Sequence, residues 1–216
     1  MELPLFPLNT VLFPGATIPL HIFEERYKEM IGFCLDHNYP FGVVLVREES
    51  EVGGAAQPCD VGTTAYVTTT QRLEDGRMNL LCQGGQRFRI LSSDGSRPYL
   101  VAEVEVLRTT AEEDPETRDY ADTAASLFAE YVRLYLAMSN QWASSVELPS
   151  DPDRLADHIA SQLAVDNLVK QSLLEELSAH NRLAREIELM GELIRAMQPR
   201  LTAARASRWA GFSSQN

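Results

Sequence analysis

The chain has 216 residues, 44% of them hydrophobic, enough for one large domain or two small packed subdomains, and this excludes general disorder. Its 31 acidic side chains against 19 basic ones leave a formal charge of −12, which argues against partners such as nucleic acid or anionic lipid. Cys34, Cys59 and Cys82 are too scattered for a disulfide scaffold, and no apolar run approaches the roughly 20 residues that cross a bilayer, so a cytoplasmic domain with reduced thiols is expected.

The N-terminus shows no basic segment followed by a long apolar one, as a signal peptide would. Leu3, Leu5 and Leu8, interrupted by Pro4 and Pro7, predict an edge or bulged strand, because proline removes a ladder donor. Pro14-Gly15 predicts a turn. From Ile22 to Leu35 the period becomes helical, with Phe23, Tyr27, Met30, Ile31, Cys34 and Leu35 on one stripe. Phe41 to Val46 reads as a buried strand, and the charges and glycines after it predict a mobile loop to about Asp60. Thr63 to Thr70 is β-branched, and Asp75-Gly76 marks a hairpin. Three further strands are expected at 78–82, 86–91 and 99–107, with Gly84-Gly85 as a tight turn between the first two.

Near residue 110 the composition shifts to Ala, Leu, Glu, Arg and Met. Tyr120, Ala124, Leu127, Tyr131, Leu134 and Met138 predict one packing stripe. Asp151-Pro152 is a helix start, followed by Leu155, Ile159 and Leu163. A short helix over 168–177 and a last one carrying Leu183, Ile187, Met190, Ile194 and Met197 complete a bundle, in which 120–138 is the simplest partner for the last helix. The expected fold class is α+β: a curled β-sheet or pseudo-barrel subdomain over 1–110, a C-terminal helical bundle over 111–198, and a flexible tail over 199–216. Arg200, Arg205 and Arg208 make that tail basic.

Catalytic chemistry finds no footing in these residues. A phosphate-binding loop needs glycines leading into Lys-Ser/Thr, and neither Lys28 nor Lys170 follows such a pattern. Lys170 and Ser172 are two apart on a helix and face apart, so they form no Ser-Lys pair. His21, His37, His158 and His180 lack clustered partners, and no Cys or His pair has zinc-ligand spacing. No cofactor and no metal is expected. Arg87, Arg89, Arg97 and Tyr99 are the residues an RNA reading would use, but alternation with Phe88 and Ile90 reads as a strand with one polar face.

The positive signal is an ordered set: Leu3-Pro-Leu-Phe-Pro-Leu8, Leu12-Phe-Pro-Gly15, Ile18-Pro-Leu-His-Ile-Phe-Glu24 and Arg26-Tyr27. It continues through Pro40-Phe-Gly-Val-Val44, Gly62-Thr63, Gly76-Arg77, Asn79-Leu80, Gly84-Gly85 with Arg87-Phe88, and Pro98-Tyr-Leu-Val-Ala-Glu-Val104. In the helical half it includes Asp151-Pro152, Leu155-Ala-Asp157, Ile159, Lys170-Gln171 and Leu174-Glu175. This set resembles the N-terminal, substrate-binding domain of Lon-type ATP-dependent proteases. The resemblance implies a PUA-like fold and a role in recognising unfolded or tagged substrates. The chain stops where the family's long helix continues to ATPase and Ser-Lys protease domains, so the resemblance is to a stand-alone Lon-domain protein.

The expected function is therefore non-catalytic recognition of unfolded protein or exposed apolar peptide segments, with a protease or chaperone system as the wider partner. Irregular edges at Pro4, Pro7, Pro14 and Pro19 offer backbone donors to an extended ligand. Phe6, Phe13, Ile22 and Phe23, with Arg87, are the candidate peptide-binding residues, and the 48–60 loop is a candidate lid. A scaffold protein, monomeric or weakly homodimeric through its helices, is the first rival; an RNA-binding PUA-like module is the second.

Overall fold

A computed structural model of the chain describes residues 1–47, 57–109, 115–139, 141 and 147–213, with side chains through Thr202. The chain forms two compact units, Met1–Thr110 with Ala160–Leu177, and Ala111–Ile159 with Ser178–Asn216. A single division near residue 110 therefore differs from the observed one: residues 160–177 return to the β-rich unit. Among the described residues no helix is long and apolar enough to cross a membrane.

The first unit holds six strands: β1 (Glu2–Leu8), β2 (Thr17–Ile22), β3 (Phe41–Val46), β4 (Pro58–Arg72), β5 (Met78–Asp94) and β6 (Val101–Val106). Their order is β2-β5-β4-β3-β1-β6, and β5 pairs with β6 as well, which closes five strands into a ring. The 17-residue length of β5 permits this. Its first half lies between β2 and β4, and its second half reaches β6. The expected α+β class and curled sheet are observed, with β2 left as the strand at the open end.

β1 is an interior strand, which corrects the expected edge position. It pairs with β6 through Glu2, Leu3 and Pro4, then in parallel with β3 from Leu5 to Leu8. Val104 N–H donates to Met1 O and Leu5 N–H donates to Leu100 O, so the odd residues of β1 face β6. Strand alternation turns the Pro4 nitrogen toward β3 before that pairing begins, and the Pro7 nitrogen toward β6 after that pairing ends. Each proline thus omits a donor that has no acceptor waiting.

The hairpin at Asp75-Gly76 forms as expected, with Gly76 N–H donating to Leu73 O at 3.0 Å and a Gly76 φ of 79°. Pro14-Gly15 likewise forms a turn: Ala16 N–H donates to Phe13 O at 3.1 Å, and Gly15 takes φ 75°. Gly84-Gly85 is not a turn. β5 continues through it with a bulge, its register against β4 shifting between Thr63↔Arg87 and Ala65↔Gly84; Gly84 lies against the Phe13 carbonyl and Gly85 against the Thr64 side chain, where a Cβ has no room.

Two apolar cores follow. Leu3, Leu5, Val44, Phe88, Ala102 and Val104 form one inside the ring. The other gathers Phe6, Leu20, Ile22, Phe41, Leu80 and Cys82 with Tyr27, Met30, Ile31 and Cys34 of α1 (Glu25–Asp36). The i, i+3, i+4, i+7 spacing of those four α1 residues is the reason one helical face can seal the sheet. In the same unit a short helix, Asn167–Glu175, packs near β4 and donates from Gln171 Nε2 to Val61 O at 3.0 Å.

In the second unit α2 (Pro115–Met138) packs against the long helix Ala179–Ser213, as the sequence stripes anticipate. With Pro152–Gln162 as α3 and Asn167–Glu175 as α4, the long helix is α5. Asp151 caps α3, its carboxylate accepting from Arg154 N–H at 2.9 Å. The buried face of α2 is Thr117, Ala121, Ala124, Phe128 and Tyr131. Ala124 and Tyr131 are buried as expected, while Tyr120, Leu127 and Leu134 are half-buried, Met138 is exposed, and their neighbours Ala121 and Phe128 are buried instead.

α5 buries Leu183, Met190, Ile194 and Met197 as expected, together with Arg182 and Glu186. Arg182 pairs with Asp153 and lies 3.8 Å from Asp157, both on α3. Such a pair costs desolvation yet fixes the register between two helices. The loose tail expected after Pro199 is corrected as well: α5 continues through Pro199 to Ser213, the proline giving up one backbone bond.

Candidate functional site

Among the described residues, the open side of β2 is where the first unit presents unused backbone and apolar side chains together. Gly84 N–H donates to Ala16 O at 2.8 Å on the β2 side, and Thr68 Oγ1 donates to Leu81 O at 2.9 Å on the β4 side. Alternation then directs the main-chain groups of Ile18, Leu20 and Ile22 toward β5, and those of Thr17, Pro19 and His21 toward the free edge. Proline is tolerated at position 19 for this reason, since its missing N–H faces no strand. The edge therefore offers donors at Thr17 and His21 and acceptors at Thr17, Pro19 and His21.

Side chains of the same three residues lie on the exposed face and continue as rows across β5 and β4. His21 is opposite Asn79, which is opposite Gln71; Pro19 is opposite Leu81, then Thr69; Thr17 is opposite Gln83, then Tyr66. The first row is hydrogen-bonded throughout. His21 Nδ1 is 2.7 Å from Asn79 Oδ1, and Asn79 Nδ2 donates to Gln71 Oε1 at 3.1 Å. Leu81 and Tyr66 are exposed large apolar side chains in the other rows. Just past the strand, Phe23 is 61% exposed and its ring lies 6.0 Å from the His21 ring in a stacked orientation.

Charge around this face is mixed and mutually paired. Arg26 meets Glu24 at 2.8 Å, Lys28 meets Glu25 at 2.8 Å, and Arg77 meets Asp75 at 2.5 Å. The Arg77 backbone N–H, with its guanidinium, holds the Asp75 carboxyl below the usual carboxylate range. These groups supply hydrogen bonds and apolar contact. Among the described residues, no group of three or more His, Cys, Asp or Glu could hold a metal ion.

Of the five residues singled out from sequence, only Phe23 is on the surface. Phe6, Phe13 and Ile22 are core side chains at 8%, 0% and 1% exposure, which corrects the expected apolar groove. Ile22 is turned inward by the alternation of β2, Phe6 lies in a stretch of β1 buried on both faces, and Phe13 is buried from the loop before β2. Arg87 is corrected too: it is buried and donates from Nε to Leu174 O at 2.9 Å. Its RNA-reading companions are dispersed, Arg89 standing opposite Glu105 and Arg97 lying 3.4 Å from the Tyr99 hydroxyl. Most of the candidate 48–60 lid lies outside the described residues. His21, Asn79, Gln71 and Leu81 were missed; their period-2 placement on β2, β4 and β5 was visible, but the register joining them was not.

A second concavity of about 540 Å³ lies at the ends of β1, β5 and β6 and includes Glu2, Ser92, Asp94, Arg97 and Glu103. Its lining is mainly polar, and Glu2 stands directly across from Glu103. It lacks the apolar contact surface that the β2 face carries.

A closed five-strand ring with an added open-edged strand and a sealing helix defines a mixed α+β domain. Residues 2–192 match the family described as the ATP-dependent protease La (LON) substrate-binding domain, and the chain belongs to that family. It is 29% identical over 200 residues to the Lon protease of Escherichia coli strain K12, covering 92% of this chain and 26% of that protein. It is 31% identical over 191 residues to the Lon protease of Anaeromyxobacter dehalogenans, covering 87% and 23%. The chain thus spans about a quarter of the length of these relatives.

Among solved structures, a Lon N-terminal domain protein from Xanthomonas campestris is similar at 28% identity and TM-score 0.63, covering 86% of this chain and 96% of that one. The N-terminal domain of the Mycobacterium avium complex Lon protease shares the fold at 21% identity and TM-score 0.61, covering 88% and 98%.

Proposed function

We propose that this protein recognises unfolded or exposed apolar polypeptide segments without acting on them chemically, and delivers them to a protease or chaperone system in the cytoplasm. The captured segment lies extended along the free edge of β2. One observation carries this reading: Thr17, Pro19 and His21 present unpaired main-chain groups beside the exposed Phe23 and Leu81. Edge hydrogen bonds are indifferent to side-chain identity, as capture of many unfolded chains requires, and the apolar side chains beside them add affinity. Membership of a substrate-binding family supports the same role.

The test is fluorescence anisotropy of a labelled, permanently unfolded polypeptide titrated with this protein, with a native globular protein and single-stranded RNA as controls. Saturable binding to the unfolded chain alone is expected. Thr17→Pro removes an outward donor and leaves the β5 pairing intact, so it should weaken that binding several-fold. Binding that is absent at about 100 μM protein, or unchanged by Thr17→Pro, sinks the reading; about 100 μM corresponds to only the weakest useful affinity.

A further inference from the structure

We infer that the β2 edge selects segments alternating hydrogen-bonding and apolar residues over uniformly apolar ones, through the row His21–Asn79–Gln71. This rests on the capture reading above and names the class of segment that site takes.

A strand added antiparallel to β2 places residues directly across from Thr17, Pro19 and His21, with side chains on the same exposed face. Those residues therefore become the fourth members of the three existing rows. Opposite Pro19 the row continues to Leu81, so an apolar side chain is favoured there. Opposite His21 the row is already a chain of hydrogen bonds: the imidazole Nδ1 is engaged by Asn79, and Asn79 is held from its other side by Gln71.

Because Asn79 Oδ1 can only accept, Nδ1 carries the proton, and Nε2 of the neutral ring is left as an acceptor for a further partner. An amide or hydroxyl side chain donates to it and extends the row by one bond. A purely apolar side chain at that place desolvates the imidazole and returns nothing. At Thr17, beside Gln83, the same argument applies more weakly. The favoured face of the segment thus reads polar, apolar, polar at residues i, i+2 and i+4.

Two fluorescein-labelled synthetic decapeptides test this. They differ only in carrying Thr or the isosteric Val at the alternate outer positions, with Leu between them on the same face. Anisotropy titrations use the full chain, its His21→Phe variant, which keeps an aromatic ring beside Phe23, and its Asn79→Val variant. Circular dichroism verifies that both variants are folded. The wild type should prefer the Thr peptide about five- to tenfold, the worth of one such hydrogen bond. In both variants the preference should fall below about twofold while Val-peptide affinity stays level. Equal affinity of the wild type for the two peptides, or a preference kept in both variants, overturns the inference. If neither decapeptide binds while the unfolded polypeptide does, this inference falls and capture in general stands. If the unfolded polypeptide also fails to bind, both fall.

Discussion

Arg87 Nε donates to the carbonyl of Leu174 at 2.9 Å, so a side chain in the middle of β5 satisfies a carbonyl in the last turn of α4. That carbonyl belongs to a helix end, where four acceptors lack intrahelical donors and a cation opposes the negative end of the dipole. The link explains why residues 160–177 belong with the barrel although they lie in the helical half of the sequence.

Arg87→Ala should lower stability by about 2–3 kcal/mol, since a charged buried donor is lost and an acceptor is stranded. Urea denaturation reads the change. Peptide affinity per folded molecule should be unaltered, which separates this structural role from the peptide-contact role the sequence had indicated.

Gly42→Ala should be destabilising by about 1–3 kcal/mol, the usual cost of overpacking. A Cβ there would lie 2.6 Å from Phe88 Cζ and 2.7 Å from Leu5 Cδ2. Both contacts are side chains, so shortening one relieves the clash: Phe88→Leu combined with Gly42→Ala should cost less than the two single changes added together. A double-mutant cycle by chemical denaturation measures that coupling.

Phe13 and Phe23 were equivalent candidates in the sequence and should behave oppositely. Phe13→Ala removes a fully buried ring and should cost about 3–5 kcal/mol. Phe23→Ser, at an exposed position, should leave the thermal midpoint nearly unchanged and weaken unfolded-polypeptide binding several-fold. Differential scanning calorimetry and anisotropy together distinguish the two outcomes.

Burial pushes the Cys34 thiol up to about 11 and the Cys82 thiol up to about 12. The unfolded chain releases these protons at the ordinary thiol value while the folded chain keeps them, so it binds fewer protons than the native state. Stability should therefore be fully present below the ordinary thiol range and decline as pH rises through it toward about 12. Urea midpoints between pH 7 and pH 10 follow the onset of that decline, about 8.5–9. Replacing Cys82 by Ala should flatten it, and a thiol reagent at pH 8 should label neither residue until the protein unfolds.

Much of the fold was legible from local patterns. Tyr27, Met30, Ile31 and Cys34 announced α1 by their spacing, and Asp75-Gly76 announced the β4–β5 hairpin. Asp151-Pro152 announced the start of α3 because a cap and a first-turn proline act within four residues. The family resemblance likewise rested on short runs whose order alone is specific.

Positions that depend on register were not legible. Whether Pro4 and Pro7 lie at an edge is decided by where the pairing of β1 passes from β6 to β3. Whether Gly84-Gly85 ends a strand or lies within a bulged one is decided by how closely Phe13, Thr64 and Tyr66 approach. Arg182 adjoins Leu183 of the apolar stripe, and only the placement of Asp153 and Asp157 on α3 accounts for its interior position.

The sequence by itself determined the class of the protein, the family, and those helices and turns, such as α1, the start of α3 and the Asp75-Gly76 hairpin, that are written in contacts within a few residues. The tertiary structure decided which apolar residues are core and which remain outside. Phe6, Phe13 and Ile22 went inward while Phe23 stayed exposed, and His21, Asn79 and Gln71 came into one row. The physical reason is that strand pairing joins residues as distant as His21 and Asn79, 58 positions apart, and a shift of one residue in register would turn the side chains of that row to the opposite face.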